Sequence, residues 1–192
     1  MQAVDLGHGA KAMELADAAA AASPKAGPRM QAFLSGQQAH AAAQNGDRAS
    51  ALRYIREAEA AMDRAESRGK PFGSYDPAAL NYHISQVRYE LGDVPGAIEA
   101  MQESDKVRYS VYRRARVRHR GTLAERQLEI GHLEAACVTW HLALDDYPLV
   151  QSGRADDRIR TMFGLLRPHL KNPTARDLYD RARTIAPSTL AS

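Results

Sequence analysis

A glycine-centred turn that recurs four times along the chain constrains its fold more than any other feature. The turn glycines are Gly7, Gly46, Gly92 and Gly131. An alanine follows each glycine after five residues, and these alanines are Ala12, Ala51, Ala97 and Ala136. Glycine can end a helix in the left-handed conformation without a side-chain clash, and a small residue lets two crossing helices approach closely. The spacing therefore predicts repeated helical hairpins.

Two further positions recur on the same face of the second helix. Nine residues after the glycines stand Ala16, Ile55, Met101 and Trp140, and twelve residues after them stand Ala19, Ala58, Ser104 and Ala143. Because residues three or four apart share a helix face, we expect these positions to be buried in each hairpin. Asp47 and Asp93 directly follow two of the glycines and are predicted N-caps of the next helix.

Composition favours helices and excludes several classes of protein. The 192 residues include 35 Ala but only 8 Val, 6 Ile and 6 Thr, so strand formers are scarce. The longest uninterrupted apolar run is the five alanines at positions 18–22, which is far shorter than a membrane-spanning helix. The start of the sequence lacks the features of a secretory signal, and a single cysteine cannot form an internal disulfide. We expect a cytoplasmic protein without a membrane partner.

The recurring pattern resembles the tetratricopeptide repeat. The resemblance rests on Leu6-Gly7, Asn45-Gly46, Leu91-Gly92 and Ile130-Gly131, each with its following alanine. It is weaker in the first helix of each pair, and the periods are 39, 46 and 39 residues. The resemblance implies an all-α fold, a right-handed α-solenoid of antiparallel helix pairs. It also implies one domain over residues 1–192, with about three to four repeats and a C-terminal capping helix.

Helix-start and helix-stop signals predict nine helices. We expect them at residues 9–22, 29–45, 48–67, 77–90, 95–103, 110–130, 132–145, 156–170 and 173–185. The longest loop, residues 67–75, is rich in helix-breaking residues and carries two aromatic side chains. It is expected either to cross the surface as a plain connection or to fold over a groove.

The carboxy-terminal part, from Ser152 onward, resembles the end of Xre-type helix-turn-helix transcriptional regulators of high-GC bacteria. In those proteins a DNA-reading domain precedes tetratricopeptide repeats. The resemblance implies a ligand- or peptide-sensing region whose DNA contact is made only through a domain absent from this chain. Because the first turn glycine is already residue 7, we expect a C-terminal fragment with an incomplete first repeat.

The resemblance also implies a concave groove lined by the first helix of each pair. Its candidate contacts for a peptide, protein or small molecule are Phe33, His40, Tyr82, Gln86, Tyr89, Arg118 and Glu125, and Gly36 and Gly121 fill two further positions. Such residues also occur in any helical array, so a purely structural role stays open. Repeats that clamp a terminal carboxylate carry Lys and Asn at these sites, which this chain lacks.

A basic stretch precedes the third groove segment. Residues 105–120 contain seven basic side chains and one acidic one, whereas the whole chain carries a formal charge of only +3. The candidate basic surface consists of Arg113, Arg114, Arg116 and Arg120. Three interpretations stay open: a solvated face balanced by acids elsewhere, a docking surface for an acidic partner or absent domain, and contact with nucleic acid.

The sequence predicts no enzyme, no metal site and no cofactor. The seven histidines do not show a ligand spacing, and Cys137 and Trp140 occupy expected core positions. The pairs Asp145–Asp146 and Asp156–Asp157 fall near helix ends, where aspartate favours capping. The remaining hypotheses are a sensing domain of a transcriptional regulator and a stand-alone scaffold for protein–protein interactions, and a homodimer is compatible with either.

Overall fold

The computed structural model describes residues 9–66 and 75–186, and within these ranges the chain is all-helical. The helices are α1 (Gly9–Ala21), α2 (Pro28–Gln44), α3 (Arg48–Glu66), α4 (Pro77–Glu90), α5 (Val94–Val107), α6 (Arg113–Glu129), α7 (Leu133–Asp146), α8 (Gly153–Leu166) and α9 (Pro173–Ile185). The prediction of an all-α chain is confirmed. Gly7 and residues 67–74 of the predicted loop lie outside the described residues.

Four predicted helix boundaries, in three helices, were wrong by more than two residues. Helix α5 continues to Val107 instead of ending at residue 103, because Ser104 is buried and keeps the next turn packed against α4. Helix α6 begins three residues later than expected, at Arg113. Helix α8 begins at Gly153 and ends at Leu166, where Pro168 has no N–H for the next helical bond and a 3₁₀ turn follows.

The predicted glycine turns are confirmed at three positions. Gly46, Gly92 and Gly131 have φ angles of 76°, 80° and 82°, in the left-handed region. At the second turn the Gly92 N–H donates to the Tyr89 carbonyl at 2.9 Å, and the Asp93 N–H donates to the Arg88 carbonyl at 2.9 Å. The other two turns have the same pair of bonds. This is the Schellman arrangement, which satisfies the last carbonyls of the preceding helix.

Aspartate side chains start the next helix at two of these turns, as predicted. The Ser50 N–H donates to Asp47 Oδ1 at 3.0 Å, and the Gly96 N–H donates to Asp93 Oδ1 at 3.0 Å. The bond from Ser50 lowers the pKa of the Asp47 carboxyl. At the third turn His132 occupies this position and makes no capping bond through its side chain.

The small residues lie inside the hairpins, as the spacing predicts. Ala51, Ala97 and Ala136 are completely buried, and Met101 and Trp140, which follow four residues after the last two, are also completely buried. The first repeat departs from the pattern at Ala19, which is exposed because α1 buries only the face that packs against α2.

Buried hydroxyl groups fasten the paired helices. In the α4–α5 pair, Ser85 Oγ donates to the Ala97 carbonyl at 2.5 Å, and Ser104 Oγ donates to the Ala78 carbonyl at 2.6 Å. These bonds satisfy polar groups that would otherwise be costly to bury. The register of the hairpin is therefore fixed by hydrogen bonds as well as by alanine contacts.

The chain divides into two compact units, Met1–Val107 and Arg108–Ser192. In the first unit, α2 pairs with α3 and α4 pairs with α5, while α2 also packs against α1 and α4. In the second unit, α6 pairs with α7, α8 packs against α6, and α9 packs against α7 and α8. The expectation of one domain over residues 1–192 stays a prediction. Among the described helices, none combines the length and the apolar character that crossing a membrane requires.

Candidate functional site

Five of the seven predicted groove residues lie on two neighbouring helices of the first unit. Helix α2 carries Phe33 and His40, and α4 carries Tyr82, Gln86 and Tyr89. Tyr89 is 37% exposed, whereas Phe33, Tyr82 and Gln86 are half-buried. This face of α2 and α4 is the candidate site. It combines aromatic rings with an amide, groups that suit a peptide or a small molecule.

His40 was predicted to contact a ligand, but the structure places it inside the first unit. It is only 7% exposed, and its Nε2 lies 3.7 Å from Glu90 Oε1. The position six residues before the turn glycine faces the neighbouring helix here, so the imidazole is covered. His40 therefore belongs to the support of the site and not to its accessible surface.

A second histidine, His83 on α4, was missed by the sequence analysis. It is 6% exposed, and its two ring nitrogens contact the Tyr75 hydroxyl at 2.8 Å and the Gln37 amide nitrogen at 3.0 Å. Burial, with a smaller contribution from the charge of His40, lowers the pKa of His83 to about 4. His83 is therefore neutral at pH 7, with one ring nitrogen donating and the other accepting.

The repeat itself contained a signal for this contact. Gln37 stands nine residues before Gly46, and His83 stands nine residues before Gly92, so the two occupy equivalent positions in successive repeats. Equivalent residues of neighbouring first helices lie side by side when those helices pack together. Searching this register for polar pairs would have found the Gln37–His83 hydrogen bond.

Tyr75 packs against Phe33 of the candidate site and against His83. Its ring packs edge-on against Phe33, with centroids 5.6 Å apart, and lies 5.4 Å from the His83 ring. Arg29 Nη1 donates to the Tyr75 carbonyl at 3.1 Å. Burial raises the pKa of the Tyr75 hydroxyl, so it stays protonated as a hydrogen-bonding group.

Gly36 was expected to face a ligand, but it faces this cluster. A Cβ atom on Gly36 would lie 2.7 Å from His83 Nδ1 and 2.9 Å from the Tyr75 hydroxyl. Real Cβ atoms do not approach neighbours so closely without displacing them. The missing side chain of Gly36 therefore provides the space for the Tyr75–His83 pair.

The remaining two predicted groove residues, Arg118 and Glu125, lie on α6 in the second unit. Arg158 Nη1 on α8 donates to both oxygens of Glu125, at 2.9 and 2.7 Å. Gly121 leaves room for this contact, since its Cβ would lie 3.1 Å from the Arg158 side chain. Glu125 is thus engaged within the protein, whereas Arg118 is half-buried at its surface.

One face of α6, formed by Arg113, Arg116 and Arg120, turns toward a single carboxylate. Asp146, at the end of α7, lies 3.9 Å from Arg113 Nε, 3.0 Å from Arg116 Nε and 3.2 Å from Arg120 Nη1. Arg120 also donates to the Leu142 carbonyl at 2.8 Å and is only 7% exposed. Its assignment to a basic surface was therefore wrong, because its charge is used inside the second unit.

The cysteine, the tryptophan and the aspartates singled out in the sequence are buried or bonded to other residues of the protein. Cys137 and Trp140 are completely buried, as predicted, and burial raises the pKa of the Cys137 thiol. Asp145 and Asp156 lie near helix ends, as expected; Asp145 pairs with Arg181, and Asp156, in the first turn of α8, accepts a hydrogen bond from Tyr147 at 2.8 Å. Burial, together with that bond, raises the pKa of Tyr147 to about 12. Within the described ranges no group of three or more His, Cys, Asp or Glu side chains is placed to hold a metal.

Comparison of the chain with protein-family models, with curated proteins and with solved structures found no match. The tetratricopeptide and Xre-type resemblances therefore stay predictions.

Proposed function

We propose that this chain is a binding module of the tetratricopeptide type, whose hairpins stack as a right-handed α-solenoid and whose first helices recognise a peptide or protein segment. The observation that carries the proposal is a turn that occurs three times with the same features. Each copy has a left-handed glycine, the same pair of backbone hydrogen bonds and a buried alanine five residues after the glycine. Repetition of one supersecondary unit is the basis of solenoids, and solenoids present extended binding surfaces.

The face of α2 and α4 supports the choice of a peptide ligand. Phe33, Tyr82 and Tyr89 offer partly accessible aromatic rings, and Gln86 lies among them with an amide that can bond a peptide group. A peptide is recognised well by such a mixture, because apolar contact supplies affinity while a few polar groups fix orientation.

The polar cluster beneath this face gives it rigidity. His83 bonds both Gln37 of α2 and Tyr75, and the backbone of Tyr75 is held by Arg29. A fully bonded buried network specifies one packing arrangement of the helices that it joins. A binding surface that is already ordered loses less conformational freedom when a ligand binds.

Selection from a random peptide library on the immobilised full chain tests the proposal. We expect enriched peptides that stabilise the chain by about 2.7 kcal/mol at 100 times their Kd. The variant Tyr82→Ala/Gln86→Ala should bind them at least about tenfold more weakly, which corresponds to about 1.4 kcal/mol. The matched control Arg56→Ala/Glu59→Ala changes two exposed residues of α3 and should keep full affinity.

Circular dichroism of both variants separates loss of binding from loss of folding. Failure to enrich any peptide, or full retention of binding by a folded Tyr82→Ala/Gln86→Ala variant, would contradict the proposal. The narrower role implied by the Xre-type resemblance, a sensing region of a transcriptional regulator, is tested by the coding sequence upstream. A helix-turn-helix domain encoded in frame there would favour it over a stand-alone scaffold.

A further inference from the structure

The second arginine face of α6, formed by Arg114 and Arg118, differs from the face that contacts Asp146. Arg114 is exposed and Arg118 is half-buried. Neither makes an ion pair with any residue in the ranges 9–66 and 75–186. Both guanidinium groups therefore lack a counter-ion among the described residues.

The unit that carries these two arginines has an excess of positive charge. Residues 108–192 contain 15 Lys and Arg against 9 Asp and Glu, a formal charge of +6, whereas residues 1–107 carry −3. The first turn of α6 contains no acidic residue, and its N-cap Tyr112 makes no capping bond through its side chain. Cations near the positive end of a helix dipole are disfavoured, and a bound anion relieves that cost.

We propose that Arg114 and Arg118 form a docking surface for the carboxylates of an acidic peptide segment in a protein partner. This inference rests on the proposed function and specifies the chemistry of the partner. Guanidinium groups bind carboxylates in a planar, bidentate manner, and Arg158 already holds Glu125 through two such contacts in this unit.

Apolar side chains beside these arginines favour a peptide over a nucleic-acid backbone. Tyr109 and Val111, which precede α6, are 52% and 62% exposed and offer apolar contacts to a peptide side chain.

Fluorescence anisotropy of the full chain with three labelled probes tests the inference. The probes are a peptide of four Glu-Glu-Leu repeats, its Gln-Gln-Leu counterpart and a single-stranded oligothymidylate. We expect the acidic peptide to bind at least about tenfold more tightly than either of the others. Its affinity should fall steeply when NaCl rises from about 50 mM to about 500 mM, because exposed charges are screened.

Two charge-reversal variants locate the site. The variant Arg114→Glu/Arg118→Glu should bind the acidic peptide at least about tenfold more weakly. The matched control Arg167→Glu/Lys171→Glu makes the same change in net charge on exposed residues of the same unit and should lose less than about threefold. Circular dichroism confirms that both variants are folded.

Equal binding of the acidic and neutral peptides, equal losses in the two variants, or tighter binding of the oligonucleotide would each overturn the inference. These outcomes are independent of the library selection that tests the proposed function. If the chain binds selected peptides through Tyr82 and Gln86 but does not bind the Glu-Glu-Leu peptide, the proposed function is supported and the docking surface for an acidic peptide is contradicted.

Discussion

Gly36 and His83 approach each other so closely that a methyl group on Gly36 would lie 2.7 Å from the Nδ1 atom of His83. The two residues belong to α2 and α4, the helices that carry the candidate site. The close approach lets Tyr75 reach His83 between them. The spacing of the two helices thus depends on the absence of one side chain.

We expect Gly36→Ala to lower the free energy of unfolding by about 1–3 kcal/mol, because the added methyl group overpacks the Tyr75–His83 contact. Gly164 provides the control, since nothing lies within 4 Å of its Cβ position. Gly164→Ala should gain up to about 1 kcal/mol from helix propensity alone. Urea unfolding followed by circular dichroism measures both. A stabilised Gly36→Ala protein would contradict the packing described here.

The buried His83 predicts a loss of stability in mild acid. Its pKa is lowered from 6.5 to about 4, so between these pH values the unfolded chain binds a proton that the folded chain does not. The stabilisation by neutral His83 is fully present above pH 6.5. As the pH falls toward 4, the free energy of unfolding decreases by about 3 kcal/mol at most. His83→Gln should be less stable at pH 7.5 and show a flatter pH dependence. Parallel pH profiles of the two proteins would show that His83 does not cause the loss.

The buried alanine of the last hairpin predicts an overpacking defect. Ala136→Leu should destabilise the second unit by about 1–3 kcal/mol, since Ala136 is completely buried. Its neighbour Ala135 is exposed, so Ala135→Leu should change stability by less than about 0.5 kcal/mol. The fluorescence of Trp140, the only tryptophan, reports unfolding of this unit. Equal stability of the two variants would place Ala136 outside the helix contact.

Asp146 is predicted to be the most important carboxylate of the second unit. Asp146→Asn removes the charge that balances Arg116 and the buried Arg120, and it should cost about 2–3 kcal/mol. Asp157, whose pair with an arginine of its own helix is exposed, gives the control, and Asp157→Asn should cost less than about 0.5 kcal/mol. Thermal unfolding monitored by Trp140 fluorescence compares them. Similar melting temperatures would mean that water, not Asp146, solvates these arginines.

The hairpins could be predicted from sequence because their determinants are local. The left-handed glycine at Gly92, the N-cap at Asp93 and the small residue at Ala97 all lie within six residues. Each acts through backbone geometry or close helix contact, so spacing alone identifies it. The same local logic failed at Val107, because the length of α5 depends on how its last turn packs against α4.

The supports of the candidate site were not predictable in this way. His40 and Tyr82 look alike in a groove register, yet one is buried and the other half-buried, since the neighbouring helix covers only the first. The arginines of α6 likewise show their periodicity in the sequence. Only the tertiary structure shows that Asp146 receives three of them.

The tight glycine turns also bear on how fast the chain acquires its structure. Because partners such as Ser85 and Ala97 are separated by only twelve residues, each helix pair closes a short loop before any distant segment has to arrive. Domains rich in such local contacts have low contact order and fold on timescales of about microseconds to milliseconds. Amide exchange should therefore be slowest within the hairpins and should divide into separate cooperative groups along the chain.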